Sequence, residues 1–119
     1  MKLWGVYHAN GGLLGELAYV VGKLRGTVHC GLCDITHGSS VRKRHEWREL
    51  ETSLDAPIEL VHLNEQTPAL AEVTRGRTPC VVAEGENGFD FLLGPDQLDS
   101  CAGSVECFEE RLAVALSRS

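Results

Sequence analysis

The run His29-Cys30-Gly31-Leu32-Cys33-Asp34-Ile35-Thr36-His37 brings two thiols and two imidazoles into one short segment. Written as a helix, Cys30, Cys33 and His37 fall at i, i+3 and i+7 and share a face, with Asp34 close to it. Leu32 and Ile35 point roughly the opposite way. Those two side chains would supply the core stripe, leaving the thiols and His37 turned toward a cleft or solvent. Gly38 would let the turn end beneath His37.

Three chemistries fit these residue types. In the first, Cys30 and Cys33 exchange electrons as a dithiol. A helix start favours the thiolate of the first cysteine, so Cys30 attacks and Cys33 resolves. A protonated His29 or His37 would stabilise that thiolate and Asp34 would oppose it. In the second, Cys30, Cys33 and His37 hold Zn(II) or Cu(I), with His8, His45 or His62 as a fourth ligand from elsewhere. In the third, the thiols are small packed side chains, His37 is a surface residue, and the domain is a non-catalytic adaptor that binds a partner. Redox exchange ranks first and metal binding second. The first needs no resident cofactor; the second needs zinc or copper(I).

Other residues carry weaker signals. Asn10-Gly11-Gly12, between a strand and a helix, is read as a structural turn rather than an anion cradle. His62 and Glu65 follow a strand end, where an acid/base pair or a surface hydrogen bond would fit. Cys80 follows Pro79 and would be packed, or would approach the dithiol as a third sulfur. Cys101 and Cys107 have a spacing that permits a bridge but are read as free thiols. Trp47 is assigned to the core. There is no Ser-His-Asp order, catalytic carboxylate pair or nucleotide motif.

The chain has 119 residues, enough for one compact domain spanning 1–119. Its 17 acidic and 11 basic residues give a net charge of −6, which argues against a nucleic-acid partner. The basic run Arg42-Lys43-Arg44 is followed by Glu46, Glu49 and Glu51 and reads as a solvated helix face. No apolar run reaches the ~20 residues of a bilayer span, and the N-terminus lacks a secretion signal's pattern. The expected compartment is the cytoplasm, where the 5 cysteines would be reduced thiols, metal ligands or catalytic groups.

These side chains need elements to hold them. Leu3–Ala9 reads as a first strand. Asn10 caps a helix whose apolar residues, Leu13 to Leu24, recur at helical spacing up to Gly26. After the cysteine segment, Ser39 and Ser40 cap a second helix to about Leu54. Ile58–Leu63 is a second strand. Thr67-Pro68 starts a short helix to about Thr74, with Gly76 ending it. Cys80–Ala83 and Phe89–Leu93 form a hairpin around Asn87-Gly88. Gly94-Pro95 breaks the chain, and Ser104 caps a last helix bearing Val105, Phe108, Leu112 and Leu116. This order predicts an α/β sandwich with a mixed sheet of about four strands and a helical insert carrying Cys-x-x-Cys.

From Ile58 onward, "IELVHLNEQTPALAEVTRGRTPCVVAEGENGFDFLLG" resembles the thioredoxin-like fold. That resemblance implies that Pro79 is the cis proline flanking the active site, and that the partner is a protein or small-molecule thiol or disulfide. The N-terminal half departs from the pattern. Thioredoxins place Cys-x-x-Cys directly after the first strand, where this chain has Asn10-Gly11-Gly12. The dithiol is displaced by about one helix. Across nearly the whole chain, "YHANGGLLGEL…HCGLCDITHG…RHEWREL…LVHLNEQ" resembles a small group of uncharacterised bacterial proteins. The matching residues are Asn10, Gly12, Cys30, Leu32, Cys33, Thr36, Gly38, Trp47, His62 and Glu65. That resemblance implies domain limits and marks the cysteine segment, and it implies no reaction.

Overall fold

A computed structural model of the chain describes residues 1–8, 30–37 and 45–118. The Asn10-Gly11-Gly12 turn, the helix expected up to Gly26, His29, the side chain of Asp34, Gly38, the Ser39/Ser40 cap and Arg42-Lys43-Arg44 lie outside the described residues.

The fold is mixed α/β around a four-stranded mixed sheet. Its strands are β1 (Lys2–Val6), β2 (Ile58–Val61), β3 (Cys80–Gly85) and β4 (Gly88–Leu93). Five α-helices are described: α1 (Gly31–Thr36), α2 (His45–Ser53), α3 (Pro68–Thr74), α4 (Pro95–Asp99) and α5 (Val105–Arg118). The sheet order is β2-β1-β3-β4. β1 runs parallel to β2 and antiparallel to β3, and β3 pairs antiparallel with β4.

Local chemistry explains most boundaries. The Thr67 hydroxyl accepts from the Leu70 N–H at 3.2 Å, and Pro68 occupies the first helical turn of α3. Gly76 follows at φ 73°, a left-handed conformation suited to glycine. The two-residue turn at Glu86-Asn87 joins Gly85 to Gly88, and Gly88 adopts φ 118°. Ser104 accepts from the Cys107 N–H at 3.1 Å and starts α5.

Two boundaries depart from the sequence reading. The second strand stops at Val61, and Leu63–Glu65 turns into a 3-10 helix. There the Glu65 carboxylate takes the His62 N–H at 2.7 Å, which offers the backbone a turn in place of a ladder bond. Gly94-Pro95 does not break the chain but opens α4. Proline lacks an N–H that the first helical turn would leave unpaired anyway, and the Gly94 N–H donates to Gln97 Oε1 at 2.6 Å.

Alternation along the strands divides the core between the sheet's faces. One face gathers Leu3, Tyr7, Val81 and Ala83 with Leu32, Ile35, Trp47, Leu50, Leu98, Phe108 and Leu112 from α1, α2, α4 and α5. Trp47 is fully buried, as expected, with its ring 5.0 Å from that of Phe108. The other face gathers Val6, Val61, Cys80 and Val82 with Leu70 of α3. A register irregularity between Val81 and Val82 lets both Leu92 and Leu93 join the first cluster. No described helix is long and apolar enough to cross a membrane.

Candidate functional site

The sheet gathers the site at one end. Val6 pairs with Val61 on one side and with Cys80 on the other. Tyr7 and His8 therefore leave β1 beside His62 at the end of β2 and Thr78-Pro79 at the start of β3. The carboxyl ends of parallel strands are where open α/β sheets commonly receive ligands.

Helix α1 brings the dithiol to that end through two glycines. A Cβ on Gly5 of β1 would sit 2.7 Å from Leu60 Cδ2 and 3.4 Å from Leu32 Cδ2, so the bare backbone leaves room for both leucines. A Cβ on Gly31 would meet Asp99 Oδ1 at 2.5 Å and the backbone of Leu98 and Asp99 at 3.0 Å. The glycine inside Cys-Gly-Leu-Cys thus permits α1 to abut the end of α4.

The helix begins just after Cys30, so Cys30 stands at its entrance. Its Sγ accepts from the Cys33 N–H at 3.3 Å, from the Cys33 thiol at 2.6 Å and from the His8 N–H at 3.5 Å. Three donors thus converge on this one buried sulfur. Neither cysteine is in a disulfide. The His8 ring also reaches across to β3, with Nδ1 2.9 Å from Thr78 Oγ1. The Thr78-Pro79 bond is cis, and Pro79 is buried. His8 thereby links the dithiol to the threonine–proline turn.

The exposure expected of the site is corrected. Leu32 and Ile35 are core residues, but Cys30 is 0% exposed and Cys33 only 8%. Helix α1 packs against β1 through Leu32 and against the end of α4 through Gly31. A Cβ on its first residue already meets α4, while Leu32 meets β1.

Tyr7 connects the dithiol helix to two imidazoles. Its hydroxyl is hydrogen-bonded to Thr36 Oγ1 at 3.0 Å and lies 3.5 Å from His37 Nδ1. Thr36 Oγ1 is itself 2.7 Å from His37 Nδ1. The Tyr7 ring lies 5.0 Å from His62 and 5.9 Å from His37 between centroids. Burial pushes the Tyr7 phenol well above its ordinary range, with Cys33 and Cys30 adding to the shift, so it remains a neutral hydroxyl at neutral pH.

His62 and Glu65 do pair, with Nδ1 2.6 Å from Oε1. The His62 backbone N–H and then its ring hold the Glu65 carboxyl below the usual carboxylate range. The pair is a cap on the 3-10 turn that also places a histidine ring on Tyr7.

Cys80 does not approach the dithiol. It faces the opposite side of the sheet, among Val6, Val61, Leu70 and Val82. Burial pushes its thiol up to about 12. The strand's alternation, rather than proximity to Pro79, decides its direction.

Among the described residues, no group of three or more His, Cys, Asp or Glu is arranged to hold a metal ion. Cys33 lies on α1 and Cys30 and His37 flank it, but the Nδ1 of His37 turns to Thr36 and Tyr7.

Tyr7 and Gly31 are the contributors that residue types alone did not single out. Tyr7 passed as one apolar residue of a strand. Its position at the strand's end, followed by His8, was the usable signal. Comparison with protein-family models, curated proteins and solved structures returns no match, so the reading of the site rests on its own geometry.

Proposed function

We propose that the protein performs thiol–disulfide exchange through Cys30 and Cys33 on a thioredoxin-like scaffold. The observation that carries this reading is the convergence of three donors on Cys30 Sγ. The β2-β1-β3-β4 order supports the scaffold, as does a cis Pro79 next to Thr78 at the site's end of the sheet. Cys30 Sγ accepts from the N–H of His8, two residues beyond β1, and this nearness to the end of the first strand supports a dithiol position like a thioredoxin's.

In this reaction the Cys30 thiolate attacks a protein or small-molecule disulfide. One substrate sulfur leaves as a thiol and a mixed disulfide forms. Cys33 gives up its proton and attacks Cys30 Sγ, releasing the second substrate thiol. Two electrons pass from the protein to the substrate, and a thiol reductant restores the dithiol. The two sulfurs are in contact, as resolution by Cys33 requires. Burial sets a condition: a partner reaches Cys30 only when its cover opens, which makes exchange slower than thiolate character alone would allow.

The test pairs elemental analysis with a free-thiol count before and after mild oxidation. Two thiols reversibly consumed, mapped to Cys30 and Cys33 in metal-free protein, support exchange. About one zinc or copper per chain, lost in the Cys30→Ser/Cys33→Ser double variant, would replace this reading with a metal site.

A further inference from the structure

Strand β4 ends the sheet, so its outer edge has no strand partner among the described residues. A cleft of about 670 Å³ lies between β4 and α5. Phe91 packs on one face of the sheet and Leu92 on the other, yet both line this cleft. A cleft reached from both faces runs along the strand's edge. Such an edge offers a row of backbone N–H and C=O groups to another strand.

The helical wall is equally open. Arg111, Val114 and Arg118 line the cleft at i, i+3 and i+7, one stripe of α5. Val114 is 50% exposed and, among the described residues, only Met1 is another large apolar side chain as open to solvent. The charged residues of the cleft are Asp90 and Glu110 against Arg111 and Arg118. All four are exposed, and among the described residues none of them is in an ion pair within the chain. The patch is thus neutral and carries both signs, on a chain whose net charge is −6. A second copy matches both signs at once and adds no repulsion at the contact, as a self-complementary interface requires.

We propose that the β4 edge and the Arg111-Val114-Arg118 stripe form a two-fold interface between two copies of this chain. The two β4 strands pair antiparallel and join two four-stranded sheets into one of eight. A two-fold axis normal to the sheet keeps both α5 helices on the same side of it, so the two Val114 side chains approach across the joint. Asp90 of each copy faces the partner's Arg111, a contact that symmetry makes twice. The strands supply hydrogen bonds, Val114 supplies apolar area, and the charges set the register. Strand β3 lies between β4 and β1, which leads to the dithiol, so the interface does not depend on the exchange reaction.

The test is sedimentation velocity over a concentration series, with amide hydrogen exchange, on the whole chain under a thiol reductant that removes intermolecular disulfides. The expected result is a reversible dimer with a Kd of about 1–100 μM, and slower exchange of β4 amides as the dimer fills. Val114→Asp, Asp90→Arg and Arg111→Glu should each weaken association on the order of tenfold or more, with the unfolding temperature of the diluted monomer unchanged. Mixing the Asp90→Arg and Arg111→Glu proteins should restore it. The mixed pair sets Asp90 against Arg111 at one contact and the two introduced charges, of opposite sign, at the other. A chain that stays monomeric to about 1 mM would overturn the proposal and leave the edge to an extended peptide of another protein. A dimer as tight in all three variants, no rescue in the mixture, or β4 amides that exchange alike in monomer and dimer would also overturn it.

Discussion

Cys30 and Cys80 are both fully buried, and both reach the carboxyl end of β1. Cys30 meets the His8 N–H just beyond the strand, while Cys80 pairs in register with Val6 on the neighbouring strand. Their surroundings differ in one respect. Cys80 packs against Val6, Val61, Leu70 and Val82, and desolvation holds it as a neutral thiol. Cys30 is as dry but has two backbone amides and a thiol aimed at its sulfur. Burial alone makes a cysteine inert; burial with donors makes a site prepared for an anion.

The largest expected effect separates these two thiols directly. Cys30→Ser should lower the rate of disulfide reduction on the order of a hundredfold or more, because the attacking sulfur is gone. Cys80→Ser should leave that rate within about twofold while costing roughly 1–3 kcal/mol of stability, through a hydroxyl buried among valines and a leucine. A steady-state assay with a dithiol reductant, alongside urea unfolding of both variants, checks the pair. Equal loss of activity in both would break the comparison.

Alkaline titration sharpens it next. Tyr7, Cys80 and Cys101 are all raised above their ordinary values by burial. The folded state therefore keeps protons that the unfolded chain has released. Each group's contribution is fully present below its unfolded value and is lost as pH climbs toward its folded one. For Cys80 that window runs from 9.0 to about 12. Stability should thus fall above about pH 9, with a limiting slope of about 1.4 kcal/mol per pH unit for each group. Cys80→Val should remove one group's share of that slope. Unfolding free energies measured across the window in both proteins would show it, and an unchanged slope would refute the assignment.

Much of this arrangement was legible from local signals, and the rest was not, for a physical reason. Thr67-Pro68, Asn87-Gly88 and Ser104 act within a few residues, so their turns and caps could be read directly. The periodicity of Leu32 and Ile35 correctly marked a core stripe. The same periodicity wrongly implied that the opposite side of α1 is open. Exposure depends on what lies above a helix, here α4, and α4 was itself hidden by reading Gly94-Pro95 as a stop. Cys80 illustrates the converse: it is packed, as favoured for a strand cysteine at that position, because strand alternation sends its side chain to the other face and not toward a shared site beside Pro79.

Gly31 tests how closely the dithiol depends on α4. Gly31→Ala places a methyl group against the backbone of Leu98 and Asp99, which cannot rotate away as a side chain would. The expected cost is about 1–3 kcal/mol, with α1 displaced from the end of β1. Lengthening the His8–Cys30 contact should then lower the exchange rate more than it lowers Cys80's protection from alkylation. Parallel loss of both would mean that the whole core, rather than the dithiol's seat, had loosened.

The smallest expected effect concerns the acid beside the site. Glu65 accepts from both the backbone N–H and the ring of His62, and its carboxyl lies below the usual range. A depressed carboxylate contributes stability above its ordinary value of 4.5 and loses that contribution as pH falls through its lower folded value. Glu65 is about half exposed, so solvent screening keeps the contribution small. Glutamine retains an oxygen for the His62 N–H but no charge, whereas alanine removes both. Glu65→Gln should therefore cost a few tenths of a kcal/mol, and Glu65→Ala up to about 1 kcal/mol. Neither should change the exchange rate by more than about twofold, because among the described residues His62 meets the dithiol's surroundings through its ring contact with Tyr7. A larger fall in rate with stability unchanged would instead make the His62–Glu65 pair part of the proton path to Cys30, and thermal unfolding run beside the activity assay separates the two outcomes.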